Sequence, residues 1–327
     1  MIIPLPHTST REIASKLVEA QEHYTLTTGR VLTLIVVADV ADDIEAILAS
    51  VRDASHEHPS RVLVVVTGDR SAPTALDAQL RVGGEAGASE MVVMRLHGSL
   101  ADQAEAVITP LLLPDTPIVA WWPSQFPEAP SHHPVGALAQ RRITNVGAAE
   151  YNVETVYLRL QQLSRGYAPG DSDMTWASLT LWRGIVASAL DRHPHEPVEA
   201  VEISGPAGDP AVDLAAAWLA DRLAVAVRRT DCDITLGDTD LNSVADPTKG
   251  DAYFPIRKLV FYRANTDITV EVIDESTVRV SVPGAPESLV ALGVRTQAEV
   301  LSEELRYLHA DKTYAHALRA LNRVSYS

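Results

Sequence analysis

The sequence predicts an α/β fold: an N-terminal, mostly parallel sheet with helices on both faces, followed by a mixed α+β domain containing an antiparallel hairpin. Three observations carry this. Runs 31–37, 61–67 and 90–96 are valine-rich and unalternated, as in strands buried on both faces of a parallel sheet. Helix-periodic segments separate strands of this kind. In the second half, Val270, Val272, Val278, Val280 and Val282 instead alternate by two, and Asp274–Glu275–Ser276 joins them as a hairpin.

The elements follow in order. Ser9 and Glu12 fit a capping box ahead of Ile13, Leu17, Val18 and Ala20 on one helical face. Gly29 precedes the strand at 31–37. Ile44, Ile47, Leu48 and Val51 mark the next helix. Strands at 61–67 and 90–96 follow, then a helix from about Ser99 and a strand at 118–122. Residues 142–145 read as a fifth strand and 153–163 as its closing helix. Residues 165–173, Arg–Gly–Tyr–Ala–Pro–Gly–Asp–Ser–Asp, have linker composition and set the expected division. Residues 1–165 form an α/β (Rossmann-like) domain and 166–327 a mixed α+β domain. The latter opens with a helix at 181–190 and a strand at 199–204. A long helix at 209–227 has Pro210 in its first turn, and strands at 258–264, 268–273 and 277–282 come next. Thr296 and Glu299 form a second capping box for a helix running to His309. Asp311 caps the last helix, which carries Leu318 and Leu321.

Composition narrows the function. The 327 residues suffice for two cores, and at 46% hydrophobic the chain is no disordered adaptor. A net charge of −16, from 27 basic and 43 acidic residues, argues against nucleic acid, whose backbone needs a concentrated positive surface. A lone Cys232 excludes an internal disulfide or dithiol switch. With no secretion signal and no apolar run near ~20 residues, the expected location is cytoplasmic, away from membranes.

Chemistry-bearing motifs are sparse. His56 and His58, His132 and His133, and His193 and His195 sit in proline-flanked loops without the four-ligand spacing of a zinc site. Ser204–Gly–Pro–Ala–Gly–Asp209 joins a strand to a helix, where backbone amides can bind an anion. Yet Pro206 removes one amide and Asp209 occupies the helix entrance. Gly83–Gly84 lacks the strand-to-helix context of a phosphate loop. Neighbouring carboxylates such as Asp42–Asp43 and Glu303–Glu304 do not face one another on a helix. No general acid–base pair and no cofactor site emerge.

The most distinctive segment is 114–123, Pro–Asp–Thr–Pro–Ile–Val–Ala–Trp–Trp–Pro. Successive strand residues point to opposite faces, so at least one of Trp121 and Trp122 is expected to look outward near the strand's carboxyl end, followed by Pro123. Arg141 and Arg142 read as an exposed basic pair. Asp173, Trp176, Trp182 and Arg183 cluster at a helix entrance. Trp and Arg are enriched in interface hot spots, so these nine residues are the expected partner interface; for Trp182 a core role weighs equally.

Taken together, the segments resemble the actinobacterial glucose-6-phosphate dehydrogenase assembly protein family, OpcA. The resemblance lies in 30–36, 58–66, 111–123, 139–144 and 167–176, and continues to Trp182–Arg183. The Trp-Trp-Pro and Gly-Asp-x-Asp-x-x-Trp segments are its most specific parts. Two positions depart from the family pattern. Asn145 stands where an acidic residue is expected, and Leu181 where a proline is expected, leaving Thr180 as the expected helix cap. The resemblance implies a non-catalytic partner that binds glucose-6-phosphate dehydrogenase and promotes its oligomeric or active state in the oxidative pentose phosphate pathway. Glucose 6-phosphate and NADP would then be bound by the dehydrogenase. The competing reading is a sensor or enzyme for a sugar phosphate or nucleotide, with weak metabolite binding as its signature.

Overall fold

A computed structural model describes residues 2–23, 30–82, 90–148, 153–192, 194–232, 235–236, 239–240 and 254–327. Gly29, Gly83–Gly84 and His193 lie outside the described residues. Along the chain the elements are β1 (Ile2–Leu5), α1 (Thr10–His23), β2 (Leu32–Asp39), α2 (Ile44–Ser55), β3 (Ser60–Thr67), β4 (Ala75–Arg81), β5 (Glu90–His97), α3 (Ala104–Ile108), β6 (Ile118–Trp121), α4 (Pro134–Leu138), β7 (Arg141–Thr144), α5 (Val153–Gly166) and β8 (Asp171–Asp173). Next come α6 (Met174–Ser178), α7 (Thr180–Leu190), β9 (Val198–Gly205), α8 (Pro210–Leu223), β10 (Ala226–Asp231), the short pair β11 (Thr235–Leu236) and β12 (Thr239–Asp240), β13 (Lys258–Arg263), β14 (Ile268–Val272), β15 (Thr277–Ser281), β16 (Ser288–Ala291), α9 (Gln297–Arg306), α10 (Lys312–Ala320) and β17 (Val324–Tyr326). No described helix is long and apolar enough to cross a membrane.

Two compact units interleave along the sequence. The first comprises Met1–Ala148, Gly166–Met174 and Thr296–Ala310; the second comprises Ala149–Arg165, Thr175–Arg295 and Asp311–Ser327.

The first unit is built on an eight-stranded sheet ordered β1-β4-β5-β3-β2-β6-β7-β8. From β5 to β8 every neighbouring pair is parallel. In sequence order those six strands run 3-2-1-4-5-6, the doubly wound arrangement whose ligand crevice opens where the order reverses, here between β2 and β6. β2 and β3 are buried along almost their whole length, which explains their unalternated valines. The antiparallel edge of β4 and β1 carries no valine-rich signal. β4 alternates Leu76, Ala78 and Leu80 with Asp77, Gln79 and Arg81, residue types of low strand preference. The expected linker contains β8, which pairs with β7; its three residues are buried, so polar composition here reflects buried hydrogen bonding rather than solvent exposure. α9 packs on α2, and its capping box is reciprocal between Thr296 and Glu299.

The second unit holds a seven-stranded sheet ordered β16-β15-β14-β13-β9-β10-β17. The expected strands and hairpin form its antiparallel half, while β9, β10 and β17 run parallel. The long helix expected over 209–227 ends at Leu223. Ala224 is left-handed (φ 56°), and Val227 and Arg229 then alternate inward along β10. α8 is apolar nearly all round and almost wholly buried, as expected of a core helix. Asp311 caps α10 by accepting from the Thr313 and Tyr314 amides at 2.8 and 3.1 Å.

Candidate functional site

Trp121, Trp122, Pro123 and Asp173 lie at the carboxyl ends of β6 and β8, Arg141 and Arg142 open β7, and all six are buried. Trp121 and Trp122 are 0% and 1% exposed. Adjacent strand residues take opposite faces, so burial of both means that the sheet is covered on both sides here. That overturns the expected outward indole. Trp122 continues the ladder through its amide to the Ile143 carbonyl at 3.0 Å and meets the His133 ring edge-on, centroids 5.5 Å apart. The chain beside it is tight: a Cβ on Gly136 would lie 1.8 Å from the Pro130 oxygen and 3.2 Å from the Trp122 ring. Burial pushes the His133 imidazole pKa down, and its Nδ1 accepts from the Val135 amide at 3.3 Å. Pro123 is also buried, its carbonyl accepting from Asn145 Nδ2 at 3.0 Å.

The arginine pair follows the same logic. Arg141 and Arg142 are 3% and 6% exposed, not the exposed patch expected, because each finds a carboxylate on its own side of the sheet. Arg141 grips Glu304 through Nε (3.1 Å) and a shorter Nη2 contact, and donates to the His309 carbonyl at 3.0 Å. Arg142 pairs with Asp171 and donates to the Ala139 and Pro169 carbonyls at 2.7 and 2.6 Å. Asp173, fully buried, accepts from the Thr144 hydroxyl at 2.5 Å and the Val146 amide at 3.0 Å. Gly170 is required by the turn: φ is +99°, and a Cβ would stand 2.2 Å from the Gln140 oxygen. The Gly-Asp-x-Asp segment is thus a glycine turn followed by two carboxylates that lock β8 to β7. Burial raises the Asp171 pKa despite Arg142.

Its tryptophan belongs to the second unit. Trp176 Nε1 donates to Asp311 Oδ2 at 2.7 Å, its ring lies 5.7 Å from that of Tyr314, and the Arg183 guanidinium covers it at 3.7 Å from the centroid. Trp182 packs 6.2 Å from Trp218 and 6.4 Å from Phe254. Trp176 and Trp182 are each 1% exposed, which favours the core role for Trp182. Of the nine expected interface residues only Arg183 retains appreciable surface. Thr180 is not the expected cap: its hydroxyl donates back to the Ala177 carbonyl at 2.8 Å, and Leu179 occupies the cap position without a side-chain bond.

At the crevice between β2 and β6, where a doubly wound fold binds a dinucleotide, a pyrophosphate needs glycines and free amides at the following helix. This chain places Asp39, Asp42 and Asp43 there. Asp43 accepts from the Ala46 amide at 3.1 Å, Asp42 from the Asp39 amide at 2.7 Å, and Asp39 from the Ala41 amide at 3.0 Å. The carboxylates occupy amides a phosphate would need and repel its charge. This substitution is readable in the sequence, because the residues after β2 contain no glycine.

The β9–α8 turn behaves similarly. Asp209 caps α8 through the Ala211 amide at 2.9 Å, and Asp213 bonds Arg229 Nε at 3.2 Å. Arg229 also reaches the Pro206 carbonyl and pairs with Asp231. Burial, opposed by Arg229 and reinforced by Asp209, pushes the Asp213 carboxyl up to about 6. A proton bound in the folded but not the unfolded chain stabilises the fold as pH falls. Asp213 is therefore expected to add about 1 kcal/mol of stability between pH 7 and pH 5. Denaturant titrations of wild type and Asp213→Asn across that range check this; the variant should lack that increment. Among the described residues, no three His, Cys, Asp or Glu side chains are placed to hold a metal ion. Cys232 is half-buried, its amide donating to the Gly205 carbonyl at 3.0 Å.

Two family models match the chain. That for the N-terminal domain of the glucose-6-phosphate dehydrogenase subunit matches residues 51–162, and that for the C-terminal domain of the same subunit matches residues 169–318. No curated protein matches. Among solved structures, a 3-ketoreductase from Actinomadura kijaniata, in complex with TDP-benzene and NADP, is 10% identical, covers 90% of this chain and 99% of its own, and has a TM-score of 0.42. An NAD binding oxidoreductase from Klebsiella pneumoniae is 9% identical, with 89% and 96% covered and a TM-score of 0.42. An oxidoreductase from Sinorhizobium meliloti is 10% identical, with 90% and 95% covered and a TM-score of 0.39. Likeness at this level carries no inference about activity.

Proposed function

The chain belongs to the glucose-6-phosphate dehydrogenase subunit family, OpcA, and on that premise we propose that it is a non-catalytic subunit that binds the dehydrogenase and shifts it toward its assembled or active state. The carrying observation is the pair of family matches, which together span most of both halves of the chain. The site supports the same reading. The crevice that would take a dinucleotide carries Asp39, Asp42 and Asp43, whose carboxylates are committed to local turns and the α2 cap. Glucose 6-phosphate and NADP are then handled by the partner, in the cytoplasm, at the entry to the oxidative pentose phosphate pathway.

A subunit of this kind acts by binding one state of the enzyme more tightly than another, and its effect is bounded by that difference in affinity. A ten-fold rise in the active fraction requires about 1.4 kcal/mol of preference. The test is to titrate the purified chain into its cognate dehydrogenase and follow NADPH formation. The expected result is a saturable rise in initial rate that levels off at a fixed stoichiometry, with no NADPH from the chain alone. A rate unchanged at all ratios would contradict the proposal.

A further inference from the structure

One face of the second unit's sheet carries part-exposed and exposed side chains in a regular pattern of charge. Leu259 and Phe261 of β13, Val270 of β14, Val280 of β15 and Ile203 of β9 are buried at period two. The residues between them point the other way. α7 packs on β14, and α8 on β9 and β10; the buried positions mark the side those helices cover. On the opposite side, strand register lines up Arg279, Glu271 and Lys258 across β15, β14 and β13, and Glu202 and Arg228 across β9 and β10. Signs alternate along both rows, and Arg279 lies 3.5 Å from Glu271. Between and beside the rows lie Val260, Tyr262 (39% exposed) and, on the edge strand β16, Leu289 (65% exposed).

We propose that this face is the surface through which two copies of the chain associate. The chain carries −16 net charge, so two copies repel wherever acidic surface meets acidic surface. This face sets Arg279, Lys258 and Arg228 against Glu271, Glu202 and Glu287, the last 3.6 Å from Arg279, and so lets two acidic molecules approach without that cost. A surface adapted to a strongly charged foreign partner would carry one sign; alternating, internally neutralised rows suit a partner face of the same kind. Its extent is adequate. Seven strands ~4.8 Å apart and about five residues long at ~3.4 Å each give roughly 570 Å², hence ~1,100 Å² in a face-to-face pair, the size at which specific association begins. Tyr262 and Val260, near the centre, supply the apolar contact. This inference does not depend on the dehydrogenase and is tested without it.

Sedimentation velocity on the purified chain alone, from about 1 to 100 μM, is expected to show the mass rising from 35.3 kDa toward twice that value. Tyr262→Glu and Leu289→Lys are expected to weaken the association at least ~30-fold. Leu289 lies on an exposed edge, so its replacement leaves the fold intact, which circular dichroism verifies. A monomer at every concentration, or a dimer indifferent to both substitutions, would overturn the proposal. So would a monomeric wild type whose binding to the dehydrogenase is lost in the same variants, since the face would then belong to another partner.

Discussion

Trp122→Ala is expected to lower the unfolding free energy by about 3–5 kcal/mol, the cost of truncating a large buried aromatic. Its indole is 1% exposed, wedged between His133 and the closely approaching turn at Gly136. Domains hold only about 5–15 kcal/mol in reserve, so this one change removes a large fraction. Chemical denaturation of the purified variant measures it. A surface role would give the opposite pattern, with unchanged stability and weaker partner binding. Trp121 is fully buried too, but its indole nitrogen has no hydrogen-bond partner among the described residues. Trp121→Phe is therefore expected to cost much less than Trp121→Ala, since the phenyl ring keeps most of the packing and leaves no donor behind.

Arg141→Ala is expected to cost a further large amount, about 3–5 kcal/mol, because it removes the cation paired with a Glu304 carboxylate at 5% exposure. The loss should fall on the attachment of α9 to β7, since that ion pair joins them. Replacing both partners with apolar residues of similar volume, Arg141→Met with Glu304→Leu, is expected to recover most of the loss, because no uncompensated charge remains. Urea unfolding of the two single variants and the pair forms a double-mutant cycle. Additive losses, with no recovery in the pair, would show that the ion pair does not couple these elements.

The strands with the strongest signals are legible because burial on both faces leaves no room for polar alternation: β2, β3 and β5 lie where valine runs place them. The caps are legible at Thr296, Asp209 and Asp311 because a side-chain oxygen at a helix entrance has one local task. Elements whose signal depends on distant partners are not. β1, β8, β16 and β17 are strands because a neighbour is present to pair with them. The same limit governs the site. Local sequence places Trp121 and Trp122 at the end of β6 and Arg141 and Arg142 at the start of β7, but it does not reveal that α9 supplies Glu304, 163 residues beyond Arg141, to bury one of them. Adjacent indoles signal a sheet covered on both faces, and the distinctive motif residues signal architecture. Contact with a partner then falls to outward-facing surface, of which Arg183 is the one sequence-predicted interface residue that keeps a share.

The central claim is that this chain acts by gripping the dehydrogenase. The most direct test is the native mass of a mixture of the two purified proteins, without substrate. The predicted result is a species containing both chains, at a fixed ratio, which persists on dilution to concentrations where activation is half-maximal. Two separate masses at every ratio, beside dehydrogenase activity that needs no second protein, would contradict it.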